Sequence, residues 1–163
     1  MKNDLLIPLF HATTKHFDIE KIVIADRNID HYPEVTDLLE FNRPLNSPSR
    51  LKCLFAADTS LAATTFLYRQ GVAIENIHVY QVEMNCYHKA PFRLIHELSE
   101  RIKIADNVDQ LIDEYWHPRL DWYFWEYFGS SFKIIEKTAT AKIMDIYAFN
   151  ISYEKDCILS TKL

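Results

Sequence analysis

The sequence is poor in glycine: only Gly71 and Gly129 occur in 163 residues. A glycine-rich phosphate loop or a G-x-G-x-x-G dinucleotide fingerprint cannot be assembled from them. Any nucleotide bound by this chain must be held by another device. Cysteine is scarce too. Cys53, Cys86 and Cys157 are an odd, widely spaced set, which argues against a disulfide framework and against a zinc ribbon. No apolar run approaches the roughly 18 residues that span a bilayer. The opening MKNDLLIPLF has one Lys, one Asp and a short apolar run, without the longer apolar core of a signal peptide. The expectation is a reduced, cytoplasmic protein with no membrane partner. Positive charge is in deficit, with 18 Lys and Arg against 23 Asp and Glu and a net charge of −5. A broad basic surface for nucleic acid is therefore not expected, although brief contact with nucleic acid stays open. Neither G-x-S-x-G nor H-E-x-x-H occurs, and Cys86-Tyr87-His88 has too few neighbouring ligands for a metal. No metal is expected.

What the chain has in quantity is hydrophobic and aromatic surface. Hydrophobic residues make up 48% and aromatic residues 13%, with 10 Phe, 9 Tyr and 3 Trp. That is enough for a real core and for a site that stacks planar groups. With no repeat and no linker, residues 1–163 read as a single α+β domain.

Leu5 to Phe10 reads as a buried strand that presents His11 at its end. Residues 18–25 read as a strand or extended loop. Residues 26–50 are polar, hold Pro33, Pro44 and Pro48, and read mostly as loop with a helical turn near Glu34–Phe41. Lys52–Ala57 reads as a second buried strand. Asp58 or Thr59 would cap a helix from Ser60 to Gln70, ended by Gly71. Ile77–Met84 alternates as a half-buried strand. Residues 92–117 read as helical with a break at 105–107. Phe132–Glu136 and Ala141–Phe149 read as late strands. LDWYFWEYF, residues 120–128, fits no single pattern.

Three constellations carry chemistry. In Phe10-His11-Ala12-Thr13, an imidazole and a hydroxyl stand at a strand end beside open backbone groups, an arrangement that suits a ribose. A lone His there more often serves structure. In LFAADTSLAA, Phe55 stands near the end of a strand that turns into a helix, and its plain reading is core packing. In WYFWEYF, Glu126 sits among aromatics, where a carboxylate is costly unless partnered. The bland alternative is an edge-strand Glu facing solvent.

In this order the three constellations resemble the ADP-ribosyltransferases of the His–Tyr–Glu group, the diphtheria-toxin-like enzymes that include small phage and toxin–antitoxin members. The resemblance covers roughly residues 5–137. His11-Ala12-Thr13 matches the family's first motif, and Leu54-Phe55-Ala56 with Leu61-Ala62-Ala63 its second. IHVYQVEM matches the strand that follows, and Glu126-Tyr127-Phe128 the third motif. Phe55 stands where many members carry Tyr, so stacking survives without a phenol. Asp121 and Glu114 rival Glu126 as the acid.

The resemblance implies two small, packed, mostly antiparallel sheets flanked by helices. It implies NAD as co-substrate. His11 would bind the adenosine ribose, the Ala12 backbone the nicotinamide amide, and Thr13 would support that strand end. Phe55 would stack on the nicotinamide, and Glu126 would bond the 2′-hydroxyl of the nicotinamide ribose. The chemistry is a glycosyl transfer through an oxocarbenium-like state, which a carboxylate stabilises. In the loop 26–50, Arg43 or Arg50 would reach a phosphate.

The function implied is mono-ADP-ribosylation of a macromolecule, protein or nucleic acid, in phage–bacterium conflict, as a toxin or as a counter-defence protein, with an antitoxin or a target protein as the partner to look for. Two alternatives stand beside it. One is an NAD glycohydrolase of the same fold. The other is a non-catalytic module that docks a protein through Trp122, Phe124, Trp125 and Tyr127.

Overall fold

The computed structural model describes residues 7–26 and 32–160, with side chains as far as Tyr153. Among the described residues the fold is α+β, with two small antiparallel sheets and five α-helices. Strand β1 (Leu9–Thr13) begins later than the Leu5 start expected, and Leu5 and Leu6 lie outside the described residues. The first sheet runs in the order β1, β4 (His78–Glu83), β7 (Ser131–Thr138), β2 (Ile22–Ile24). The second runs β3 (Leu54–Ala56), β6 (Trp125–Gly129), β5 (His88–Pro91).

The sheets are packed through a cluster that both supply. Leu9, Tyr80, Val82, Phe132 and Ile134 come from the first sheet and Ala56 and Tyr127 from the second. The outer face of the first sheet is covered by α2 (Ser60–Arg69), whose Ala63 packs on Val79 with Phe10 and Ala12 alongside. The outer face of the second carries Ala90 and Phe128. It is covered by Val35 and Leu39 of α1 (Pro33–Phe41), Leu94 and Leu98 of α3 (Arg93–Lys103), and Leu111 and Tyr115 of α4 (Asp109–Trp116).

Local chemistry explains most boundaries. Thr59 is extended, and its hydroxyl accepts from the Ala62 amide at 3.0 Å, so Thr59 rather than Asp58 caps α2. Past that helix the chain turns at Gly71 with φ +91°, a conformation that costs a Cβ-bearing residue dearly. The helical turn expected near 34–41 is the nine-residue α1, begun by Pro33 in its first turn. Of the polar segment 26–50, residues 27–31 lie outside the described set.

Two elements differ from expectation. Residues 88–91 form β5, an edge strand too short to show an alternating pattern. Of residues 141–149, read as a strand, 143–149 belong instead to helix α5 (Ile143–Ser160). Ile146, Phe149 and Tyr153 are buried and spaced by three and four, the helical interval, while Met144, Tyr147 and Ile151 stay exposed. The third buried residue falls beyond 149, so a short apolar window could not separate the two periods.

Gly129 ends β6 against backbone rather than against a flexible side chain. A Cβ there would collide with the Cys86 carbonyl oxygen and press on Met84. Gly129→Ala is therefore expected to destabilise the fold by about 1–3 kcal/mol. A denaturant midpoint equal to wild type would contradict this packing.

Candidate active site

The three motif strands lie side by side. β3 pairs with β6, with Phe55 opposite Phe128. β1 meets the end of β3 at one bridge, where Phe10 and Ala57 exchange both backbone hydrogen bonds at 2.8 Å. Past that point β1 and β3 separate. The His11 side chain enters the split, and its Nδ1–H donates to the Phe55 carbonyl at 2.6 Å. Backbone groups alternate between strand edges, so the N–H and C=O of Ala12 point to the same edge as those of Phe10. Among the described residues, no backbone group pairs with Ala12 on that edge. Thr13 is buried, and its Oγ1 accepts from the Lys15 amide at 3.1 Å.

Alternation also sorts the side chains. His11 stands on the inner face, its ring 4.8 Å from that of Phe132. Phe55 and Glu126 stand on the outer face of the second sheet, with Phe128 between strand neighbours. The Phe55 ring, half-buried, lies 5.8 Å from Phe128. Glu126 is 6% exposed and does not face solvent from an edge, because β6 is the central strand of its sheet.

A carboxylate this deep must be paired, and two donors meet it. Arg50 Nη1 and the Tyr115 hydroxyl each lie 2.6 Å from Oε1. Arg50 Nη1 also donates to the Tyr115 oxygen, which closes a three-membered network. No donor among the described residues meets Oε2. The Arg50 guanidinium lies over three rings, at 5.1 Å from Phe55, 5.4 Å from Phe128 and 5.6 Å from Tyr115. Its backbone N–H donates to Glu40 Oε1 at 2.6 Å, which ties the segment before β3 to α1.

The electrostatics follow from burial. Burial opposes the Arg50 charge, but Tyr115 and Glu126 more than restore it, so its pKa lies above the ordinary value. Burial pushes the Tyr115 phenol well above its usual range, so it remains a donor. Burial also raises the Cys53 thiol to about 12, which leaves it no nucleophile. His11 is pulled below its ordinary 6.5, first by burial and further by Lys15, against the Phe55 carbonyl. At neutral pH it is the uncharged Nδ1–H tautomer, with Nε2 an acceptor.

The other sequence candidates have different settings. Glu114 is wholly buried, and its Oε1 accepts from the backbone of Arg119 and Leu120 at 2.9 Å and from Trp122 Nε1 at 3.0 Å. It clamps the turn after α4. Asp121 is exposed. Arg43 donates to the Ser47 carbonyl at 2.7 Å and pairs with Glu40. Arg50, expected at a phosphate, is 7% exposed and holds Glu126. Of the aromatic run, Trp122 and Tyr127 are buried, and Phe124 and Trp125 are half-buried, with Phe124 4.5 Å from Phe149. The run faces the core, and only Tyr123 within it is well exposed, at 70%.

Sequence reasoning missed Tyr115 and His88. Tyr115 lies on the buried stripe of α4 with Leu111 and Ile112, so its burial was legible but its partner was not. His88 Nε2 meets the Tyr115 carbonyl at 3.0 Å, and its ring sits 5.5 Å from Phe128. Burial lowers its pKa, against the Tyr115 carbonyl and Glu126.

Two cavities outside this constellation flank α4. One of about 300 Å³ is lined by Arg101, Asn107 and Asp109. The other, about 390 Å³, is lined by Asn42, Asp113, Trp116 and His117. Among the described residues no three His, Cys, Asp or Glu gather as metal ligands would, and no helix is long and apolar enough to cross a membrane. No protein-family model matches the chain, and no curated protein sequence matches it.

His11 and His88 both have lowered values, so the unfolded chain takes up protons before the folded one. Stability is full above pH 6.5 and falls as the pH drops below it. Urea midpoints between pH 7.5 and 5 should decline, and His11→Gln should flatten that decline. An unchanged slope in this variant would contradict the half-buried, neutral His11.

Proposed function

We propose that this chain is a mono-ADP-ribosyltransferase that moves ADP-ribose from NAD to a macromolecular acceptor. Its setting would be phage–bacterium conflict, where it acts as a toxin or a counter-defence protein. The observation that supports this most is the split between β1 and β3. It leaves the N–H and C=O of Ala12 open beside His11 and Phe55. A carboxamide needs one acceptor and one donor side by side, and an open strand edge offers that pair at fixed spacing. Nicotinamide is the part of NAD that carries a carboxamide. The Phe55 ring would flank it, and His11 Nε2 would accept from the adenosine ribose.

Glu126 completes the arrangement from the next strand. With Oε1 held by Arg50 and Tyr115, its Oε2 is the oxygen for the ribose 2′-hydroxyl. The bond from the nicotinamide nitrogen to ribose C1′ breaks, and its electron pair leaves with nicotinamide. Positive charge builds on C1′ and the ring oxygen, and a fixed carboxylate stabilises it. The acceptor attacks C1′ and gives up its proton to the Glu126 carboxylate. Glu126 is favoured over its rivals because it stands on β6, the strand paired with that of Phe55, whereas Glu114 is wholly buried on α4 at the turn after that helix and Asp121 is exposed.

Purified protein should consume NAD and label macromolecules in a bacterial lysate from NAD labelled in its ADP-ribose half. Protease or nuclease sensitivity of the label would name the acceptor class, and free ADP-ribose as sole product would assign a glycohydrolase instead. Glu126→Gln should lower the rate at least a hundredfold, about the loss of one well-placed transition-state contact. Tyr115→Phe, which keeps the packing, should lower kcat about tenfold. A folded Glu126→Gln protein with wild-type turnover would overturn the assignment.

A further inference from the structure

A dinucleotide brings two negative charges on its diphosphate, and the two cations expected to meet them, Arg43 and Arg50, are otherwise engaged, Arg43 with the Ser47 carbonyl and Glu40. Arg50 is 7% exposed, and its guanidinium is bonded to Glu126 and Tyr115. The counter-charge must come from another part of the molecule.

The inner face of the first sheet supplies it next to His11. Thr13, two residues along β1, stands opposite His78 of β4, as His11 stands opposite Tyr80. The chain after β1 folds back over this face. Phe17 packs on Tyr80 at 5.6 Å and donates its N–H to the Tyr80 hydroxyl at 3.0 Å. His16 then lies on His78, with ring centroids 4.1 Å apart. Lys137, opposite Tyr80 on β7, flanks the pair. Lys15 and His16 are exposed, and His78 is half-buried.

Charge makes the cluster unusual. Burial lowers the pKa of His78, and His16 and Lys137 lower it further. His11 feels Lys15. No carboxylate is among these influences, in a chain with 23 acidic residues against 18 basic. Among the described residues, none of Lys15, His16, His78 and Lys137 is in an ion pair. His16 and Lys137 press the His78 pKa down, and an anion bound beside His78 would oppose that effect. A diphosphate, with two charges and several acceptor oxygens, matches two ring N–H groups and two ammonium groups.

We propose that Lys15, His16, His78 and Lys137 form the subsite for the diphosphate of the dinucleotide, beside the His11 end of the split strands. The assignment rests on the NAD reading above. The basic group is supplied by a loop that folds back on its own sheet.

The test uses inorganic pyrophosphate and the ring resonances of the histidines, assigned through His16→Gln and His78→Gln. Pyrophosphate should shift the His16 and His78 signals saturably at constant ionic strength, with Lys137→Gln weakening the affinity about tenfold. In turnover assays, Lys137→Gln should raise KM for NAD by a similar factor. No response of His16 and His78 to pyrophosphate, in a wild-type protein that cleaves NAD, would overturn the subsite and leave the activity standing. A saturable response in a wild-type protein that never consumes NAD would overturn the activity and keep the anion site.

Discussion

The ion pair between Arg50 and Glu126 is the contact on which the rest of the candidate site depends. It joins three parts of the chain that are distant in sequence: the segment before β3, helix α4 through Tyr115, and the central strand β6. Removing one partner of such a pair leaves an uncompensated charge, at a cost of roughly 3–5 kcal/mol. Replacing both partners with apolar groups could be neutral for stability. A polar network kept inside an aromatic shell of Phe55, Phe128 and Tyr115 therefore calls for a reason beyond stability. A fixed carboxylate oxygen for the proposed substrate would supply one.

The second constraint is the point where β1 and β3 part. A continuous sheet would use every edge group of β1, and a binding site needs some of them unpaired. His11 makes the parting stable. Its Nδ1–H satisfies the Phe55 carbonyl that a longer ladder would have paired. The imidazole thus has a structural duty on one nitrogen and an open acceptor on the other. The structural role and the proposed functional one would be two halves of one arrangement.

How much was legible in the sequence depended on range. Local signals were strong where the chemistry was local: β4 alternates, Gly71 ends the turn after α2, and the break between α3 and α4 falls in residues 104–108. Pattern failed where an element was short, as in β5, or where the decisive residue lay outside the window, as with Tyr153 in α5. The candidate site was legible as residue types in order, because His11, Phe55 and Glu126 each sit on a core strand. Their partners were not. Arg50 and Glu126 are 76 positions apart, and nothing in either neighbourhood marks the other. Arg50 looked like a loop cation for a phosphate because a polar, proline-containing stretch gives no sign that one of its side chains turns inward.

The most direct test of this account is a crystal structure with a non-cleavable NAD analogue. The account predicts the nicotinamide carboxamide on the N–H and C=O of Ala12, the ring beside Phe55, and the 2′-hydroxyl of its ribose on Glu126 Oε2. An analogue bound elsewhere, or one that leaves the Ala12 edge open at saturating concentration, would contradict it.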